Sequence, residues 1–192
     1  MTKRILITIE YDGAPFVGWQ RQDNGASVQA ALEAAAEAFI GAPPPITGAG
    51  RTDSGVHATG QAAHLDVPEK FDANRVMQAL NAHLGAVPVT VHSAREVPAT
   101  LHARFSATGR RYLYRMLPQR QKPALDSGRV WHHQRPLNSE RMHAAAQILV
   151  CRHDFTSFRA SQCQASSPVR TVDRLSVQRV GDEIHLQAEA RS

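Results

Sequence analysis

Lysine is scarce in this chain of 192 residues, occurring only at Lys3, Lys70 and Lys122. Cysteine is scarcer still, with Cys151 and Cys163 alone. Two thiols cannot build a disulfide framework, and they lack the paired C-x-x-C spacing of a zinc site. The expectation is reduced thiols in a cytoplasmic protein. No apolar run approaches the roughly 20 residues needed to cross a bilayer, so no membrane span is expected. The chain opens Met1-Thr2-Lys3-Arg4 and passes directly into a strand-like run, which gives no sign of a targeting signal. Among the 10 histidines, His132-His133 is the one adjacent pair, and no H-x-x-x-H or H-E-x-x-H occurs. That spacing argues against metal catalysis.

Hydrophobic residues make up 42% of the chain, enough for a packed interior. The length suits one sizeable domain or two small ones sharing a core. Lys and Arg total 22 against 17 Asp and Glu, a net charge of +5 carried mostly by arginine. The planar guanidinium fork suits phosphates and base edges better than a lysine point charge. Two readings stand: a solvated basic surface, or a surface for an anionic partner, nucleic acid above all.

The β-rich run from Ile5 to Tyr11 reads as a strand that Asp12-Gly13 stops. Ser27 can cap a helix over 28–40, with Val28, Leu32, Ala35, Ala36 and Phe39 on one face, and Gly41 to Pro45 ends it. Residues 61–67 alternate as a second strand. Asp72 can cap a helix over 73–84, and 89–97 is a third strand. Residues 104–117, rich in Arg and Tyr, read as one long strand or a bent pair. A basic connection over 118–136 follows. Asn138 can then cap a helix reaching about Val150, with Leu137 stapled to Met142. The last segment reads as a hairpin turning at Gly181-Asp182. The order β-α-β-α-β, then β-α-β-β, implies an α+β fold in which each half resembles a split β-α-β unit.

Three clusters can carry chemistry. In Gly48-Ala49-Gly50-Arg51-Thr52-Asp53-Ser54-Gly55-Val56-His57, glycines permit unusual backbone angles and close approach. Arg51 and Asp53, two apart in an extended loop, point the same way. A cation so placed can keep the carboxylate ionised, ready to act as nucleophile or base. The competing reading is a turn whose Asp bonds its own backbone. From Leu101 to Tyr114 arginines alternate with aromatics: Arg can neutralise phosphates and aromatics can stack on unpaired bases. An exposed strand with a basic face is the alternative. In Asp154-Phe155-Thr156-Ser157-Phe158-Arg159 the two phenylalanines read as core. His57 has no paired Ser or Cys nucleophile and reads as structural or RNA-contacting.

These clusters, with Glu10-Tyr11-Asp12-Gly13, Gly18 to Gln22, Ser27-Val28-Gln29, Gly60-Gln61 and Arg111-Tyr112 with Tyr114, resemble the tRNA pseudouridine synthase A family, in family order over almost the whole chain. The resemblance implies two ferredoxin-like halves, over 1–105 and 106–192, with mainly antiparallel sheet and helices packed on one side. It implies isomerisation of uridine to pseudouridine in the anticodon stem-loop of tRNA, by a homodimer, with no cofactor and no metal. Carried over by motif position, Asp53 is the nucleophile and Arg51 its ion-pair partner. Tyr112 packs on the target base and later acts in proton removal. Arg104 helps extrude the base or fills its place. Leu101, His102, Ala103, Arg104, Phe105, Arg120, His133, Gln162, Cys163 and Gln164 are the implied RNA contacts, although Gln162-Cys163-Gln164 lacks the basic residue expected in that loop. Family members continue with a segment resembling F-L-H-x-x-V-R-N-x-V-G where this chain reaches Ala188 to Ser192, so an incomplete form of the enzyme is expected. An RNA-binding module without catalysis is the alternative from a different class, since it needs the basic and aromatic clusters but not Asp53. A basic hydrolase is a third reading, marked by release of free uracil or cleaved RNA.

Overall fold

The computed structural model describes residues 1–159 and 167–191. It has the expected α+β character, with two mostly antiparallel sheets and few helices. The chain divides into two compact units, Met1–Ala107 and Thr108–Ser192. No helix of the described residues is long and apolar enough to cross a membrane.

The first unit contains β1 (Thr2–Tyr11), α1 (Val28–Ile40), β2 (Thr47–Gly48), β3 (Ala58–Pro68), α2 (Ala73–Leu84) and β4 (Val89–Val97). Its sheet has the order β2-β3-β1-β4, antiparallel throughout. This is the split β-α-β arrangement, with β1 central because its alternating isoleucines are the most apolar strand face available. Ile5, Ile7 and Ile9 are fully buried, beside Ala63, Leu65 and Val67 of β3 and Val89 and Val91 of β4. Val28, Leu32, Ala35 and Ala36 of α1 and Val76, Leu80 and Leu84 of α2 join the same core. The helix starts obey local chemistry. The Ser27 side chain accepts from the Ala30 amide and the Asp72 side chain from the Arg75 amide.

The second unit contains β5 (Gly109–Pro118), β6 (Trp131–His133), α3 (Ser139–Ala146), β7 (Cys151–Asp154), β8 (Val169–Val180) and β9 (Glu183–Arg191). Its sheet order is β6-β5-β9-β8-β7. Among the described residues only the short β5–β6 pair is parallel. Asn138 caps α3 by accepting from the Arg141 amide at 2.8 Å. The core is small: Met116, Ala146, Leu175, Val177 and Ile184, with Leu137 and Met142 packed on it.

Two expectations are corrected. Residues 104–117 are not one strand or a bent pair, because β5 starts only at Gly109. Ahead of it the Ser106 amide donates to the His102 carbonyl at 2.7 Å, closing a turn over the residues that the Arg-aromatic pattern placed in a strand. Phe158 is not core but 74% exposed, because its short 3-10 turn (Thr156–Phe158) leaves it on the surface beside the half-buried Phe155.

Candidate active site

The segment bearing Asp53 connects β2 to β3, at the end of the sheet where β1 runs out at Tyr11. A nine-residue connection has few bonds of its own to fix its shape, so most of its order comes from neighbours. Most of these neighbours lie in the 11–19 stretch. The Trp19 amide donates to the Thr52 carbonyl at 3.0 Å, and the Gly55 amide to the Phe16 carbonyl at 3.3 Å. The Ser54 hydroxyl also reaches the Phe16 carbonyl, at 3.3 Å. The Val56 amide returns to the Asp53 carbonyl at 3.2 Å and folds the tip into a turn. On the far side, the Gln61 side-chain amide donates to the Gly50 carbonyl at 2.6 Å, and the Ala49 amide to Ala62 at 2.7 Å.

Side chains complete the frame. The Tyr11 hydroxyl and the Thr52 hydroxyl are 2.9 Å apart. Tyr11 is 2% exposed, and burial raises its phenol pKa while the Thr52 bond opposes that shift. Trp19, also buried, lies with its ring 6.1 Å from that of Tyr11. His57 Nδ1 accepts from the Gly13 amide at 3.1 Å and lies 3.0 Å from an Asp12 carboxylate oxygen. His57 is therefore a structural pin between two loops. At several places the contacts leave room only for glycine, and two of them bear on the backbone of this loop. A Cβ on Gly13 would stand 2.1 Å from the Val56 carbonyl oxygen. One on Gly18, whose φ is +124°, would stand 2.6 Å from the Thr52 carbonyl oxygen.

A buried carboxylate that the sequence pattern did not disclose ties this frame together. Glu33 of α1 is 6% exposed. It accepts from the Ile46 amide at 3.2 Å and from the Gln29 side chain at 2.9 Å, and it pairs with Arg21. One side chain thereby links the Gly18–Gln22 loop, the helix and the entry into β2. Helical periodicity marks Leu32 and Ala36 on either side of Glu33, but nothing local tells that Arg21 and Ile46 will arrive to satisfy it.

Asp53 itself is exposed on this braced loop, as is Arg51. Among the described residues no ion pair joins the two. An exposed carboxylate on a fixed backbone can approach a substrate atom without first being freed from a partner.

The same unit carries the 101–105 segment. His102 and Leu101 are half-buried, Ala103 is buried, and Arg104 and Phe105 are exposed, Phe105 at 78%. The His102 and Phe105 rings are 4.4 Å apart, and the Arg104 guanidinium lies 6.0 Å from the Phe105 ring centre. In the second unit Tyr112 stands on β5 and is 55% exposed, with Tyr114 two residues on along the same strand face. His133 closes β6, half-buried, and Arg120 is exposed beyond β5. Gln162, Cys163 and Gln164 lie outside the described residues.

The chain is similar to known proteins over nearly its whole length. Residues 7–106 and 145–192 match the family model described as tRNA pseudouridine synthase. Curated relatives named tRNA pseudouridine synthase A are similar along nearly all of the chain. The protein from Rhodospirillum rubrum is 56% identical over 189 residues, covering 98% of this chain and 68% of the relative. That from Maricaulis maris is 56% identical, with 98% and 76% covered. That from Caulobacter vibrioides is 54% identical, again with 98% and 76% covered.

Proposed function

The chain belongs to the tRNA pseudouridine synthase A family, and from that premise we propose that it isomerises uridines of the tRNA anticodon stem-loop with Asp53 as the nucleophile. The family membership makes it an enzyme that turns uridine into pseudouridine in tRNA. In that reaction the bond from N1 of uracil to C1′ of ribose breaks, the ring turns, and a bond from C5 to C1′ forms. The C5 proton leaves and N1 gains one, so the change is a pure isomerisation.

The observation that carries the assignment of Asp53 is its setting: an exposed carboxylate on a loop whose backbone is pinned on both sides. The reaction calls for an ionised carboxylate held still while a base is brought to it, and the loop supplies that. Arg51, exposed on the same loop, is proposed on the family resemblance to pair with Asp53 during the reaction. Flipping the nucleotide out of its stack costs a few kcal/mol. On the family resemblance, Arg104 offsets that cost by helping to extrude the base or filling its place, Tyr112 packs on the base, and Leu101, His102, Ala103 and Phe105 touch RNA. Arg120 and His133 add RNA contacts in the second unit, and Gln162, Cys163 and Gln164 are proposed as contacts on the family resemblance alone. By the same resemblance the enzyme works in the cytoplasm as a homodimer, a state that light scattering on the purified chain reads directly.

The test is Asp53→Asn with unmodified tRNA. Pseudouridine formation, mapped by chemical labelling, should fall by at least about a thousand-fold while tRNA affinity holds within about two-fold. An unaltered rate in the variant would remove Asp53 from the chemistry. Labelling outside the anticodon stem-loop would overturn the proposed target while leaving the activity intact.

A further inference from the structure

The Arg104–Phe105 tip is fastened to the sheet by side chains far away in sequence. Arg4, on β1, makes a two-pronged pair with Asp66 on β3, its Nε and Nη2 donating at 2.8 Å each. Its remaining nitrogen, Nη1, donates to the carbonyls of Ala99 and Leu101 at 2.6 and 2.8 Å. Next to Asp66, two residues back on the same strand face, His64 is 6% exposed. Its Nδ1 accepts the Ala103 amide at 3.1 Å. The His64 and His102 rings are 5.0 Å apart, and His102 continues the contact to Phe105. The segment before the exposed tip is thus held by three sheet-anchored bonds, with His64 bonding the residue directly before Arg104.

We propose that His64, braced by the Arg4–Asp66 pair, is a positioning residue that orders the 101–105 segment for tRNA, and that it does so only while its Nδ1 is unprotonated. This rests on the reading that the segment touches RNA. A segment ordered beforehand does not lose its freedom again on binding, so ordering acts on affinity. Protonation of Nδ1 turns an acceptor into a donor facing the Ala103 N–H, and the bond cannot survive. The charged groups facing His64 are Arg4 on β1, Asp66 on its own strand and His102 on the segment itself. Burial, Arg4 and His102 all favour the neutral ring and Asp66 opposes them, with burial the largest influence and the net direction downward.

The experiment measures KM, kcat and the dissociation constant for unmodified tRNA from about pH 7.5 to about pH 5 in the full chain and three variants. In His64→Leu, KM and the dissociation constant should rise about ten-fold at neutral pH, the effect of one lost hydrogen bond, with kcat little changed. His64→Asn offers an amide oxygen near the place of Nδ1 that cannot be protonated. It should rescue the neutral-pH affinity and remove the part of the acid loss that the unaltered chain shows. Arg104→Ala with Phe105→Ala tests the underlying reading. If that double variant leaves affinity unchanged, the segment does not touch RNA. If it weakens affinity while His64→Leu does not, or if His64→Asn keeps the full acid loss, the positioning role is overturned and the RNA contact stands.

Discussion

At the scale of single residues, the placement of Asp53 depends in part on atoms that carry no charge. Gly18 holds φ +124° and lets the Thr52 carbonyl approach, where a methyl group would stand 2.6 Å away. Gly18→Ala is expected to cost about 1–3 kcal/mol of stability and to lower kcat further, read from urea unfolding and pseudouridine formation on one preparation. Loss of stability with unchanged kcat would separate the glycine from the reaction. Tyr11 and Thr52 make a bond of 2.9 Å in the buried end of the sheet. Tyr11→Phe should cost about 1 kcal/mol, and adding Thr52→Val should cost less than the sum of the two single changes, because both remove the same bond. Additive losses would show that the pair is not coupled.

Among the elements, the second unit puts a charged network across its central strands. Arg115 of β5 donates from Nε to Glu183 of β9 at 2.7 Å and from Nη2 to Asp126 at 3.2 Å, while His185 lies 2.8 Å from Glu183. The Arg115 bond, helped by His185, holds the Glu183 carboxyl well below its usual range, at about 2. A depressed carboxyl stabilises the fold fully above its unfolded value and loses that contribution as pH falls towards the folded value. Acid should therefore weaken the second unit between the usual glutamate range near about 4.3 and pH 2. Glu183→Gln should be less stable at neutral pH and lose less in acid, as followed by near-ultraviolet circular dichroism. An identical acid profile in the variant would refute the network's part. Elements set by neighbouring residues were legible in the sequence. The Ser27 and Asp72 caps, the 28–40, 73–84 and 89–97 spans and the Gly181 hairpin match the structure closely. Elements set by distant partners were not. The turn at 102–106 leans on Arg4 and His64, and a local pattern of Arg and aromatics cannot show that. Helix α3 ends at Ala146 and passes into a 3-10 turn instead of running to Val150, where the Gln147 side chain is drawn to the Leu175 carbonyl at 2.8 Å.

For the whole molecule, the two units differ in how much apolar surface they bury. The first has three consecutive inward isoleucines on a central strand covered by two helices. The second, among the described residues, has a core cluster of five buried residues under one short helix. Hydrogen exchange should accordingly be slowest at the amides of Ile5, Ile7 and Ile9 and faster, by about ten-fold or more, along 172–188. Equal protection in both would contradict the difference in cores. The site reads in the same way: Asp53 and the segments that resemble the family were visible as motifs, but how they come together in space was not. Tyr11, Gly13, Gly18 and Trp19 are the walls against which the Asp53 loop is built, a relation that exists only once the chain is folded.

Several of the bonds holding that loop run between main-chain atoms, and a peptide group is the same whatever residue bears it. Val56 contributes its amide while the residue stays 42% exposed. At Val56, therefore, the loop has an interchangeable position on its rim. A library randomised at Val56 should retain the placement of Asp53, and selecting from it for altered tRNA preference would show how far the identity of the RNA can be rewritten without touching the chemistry.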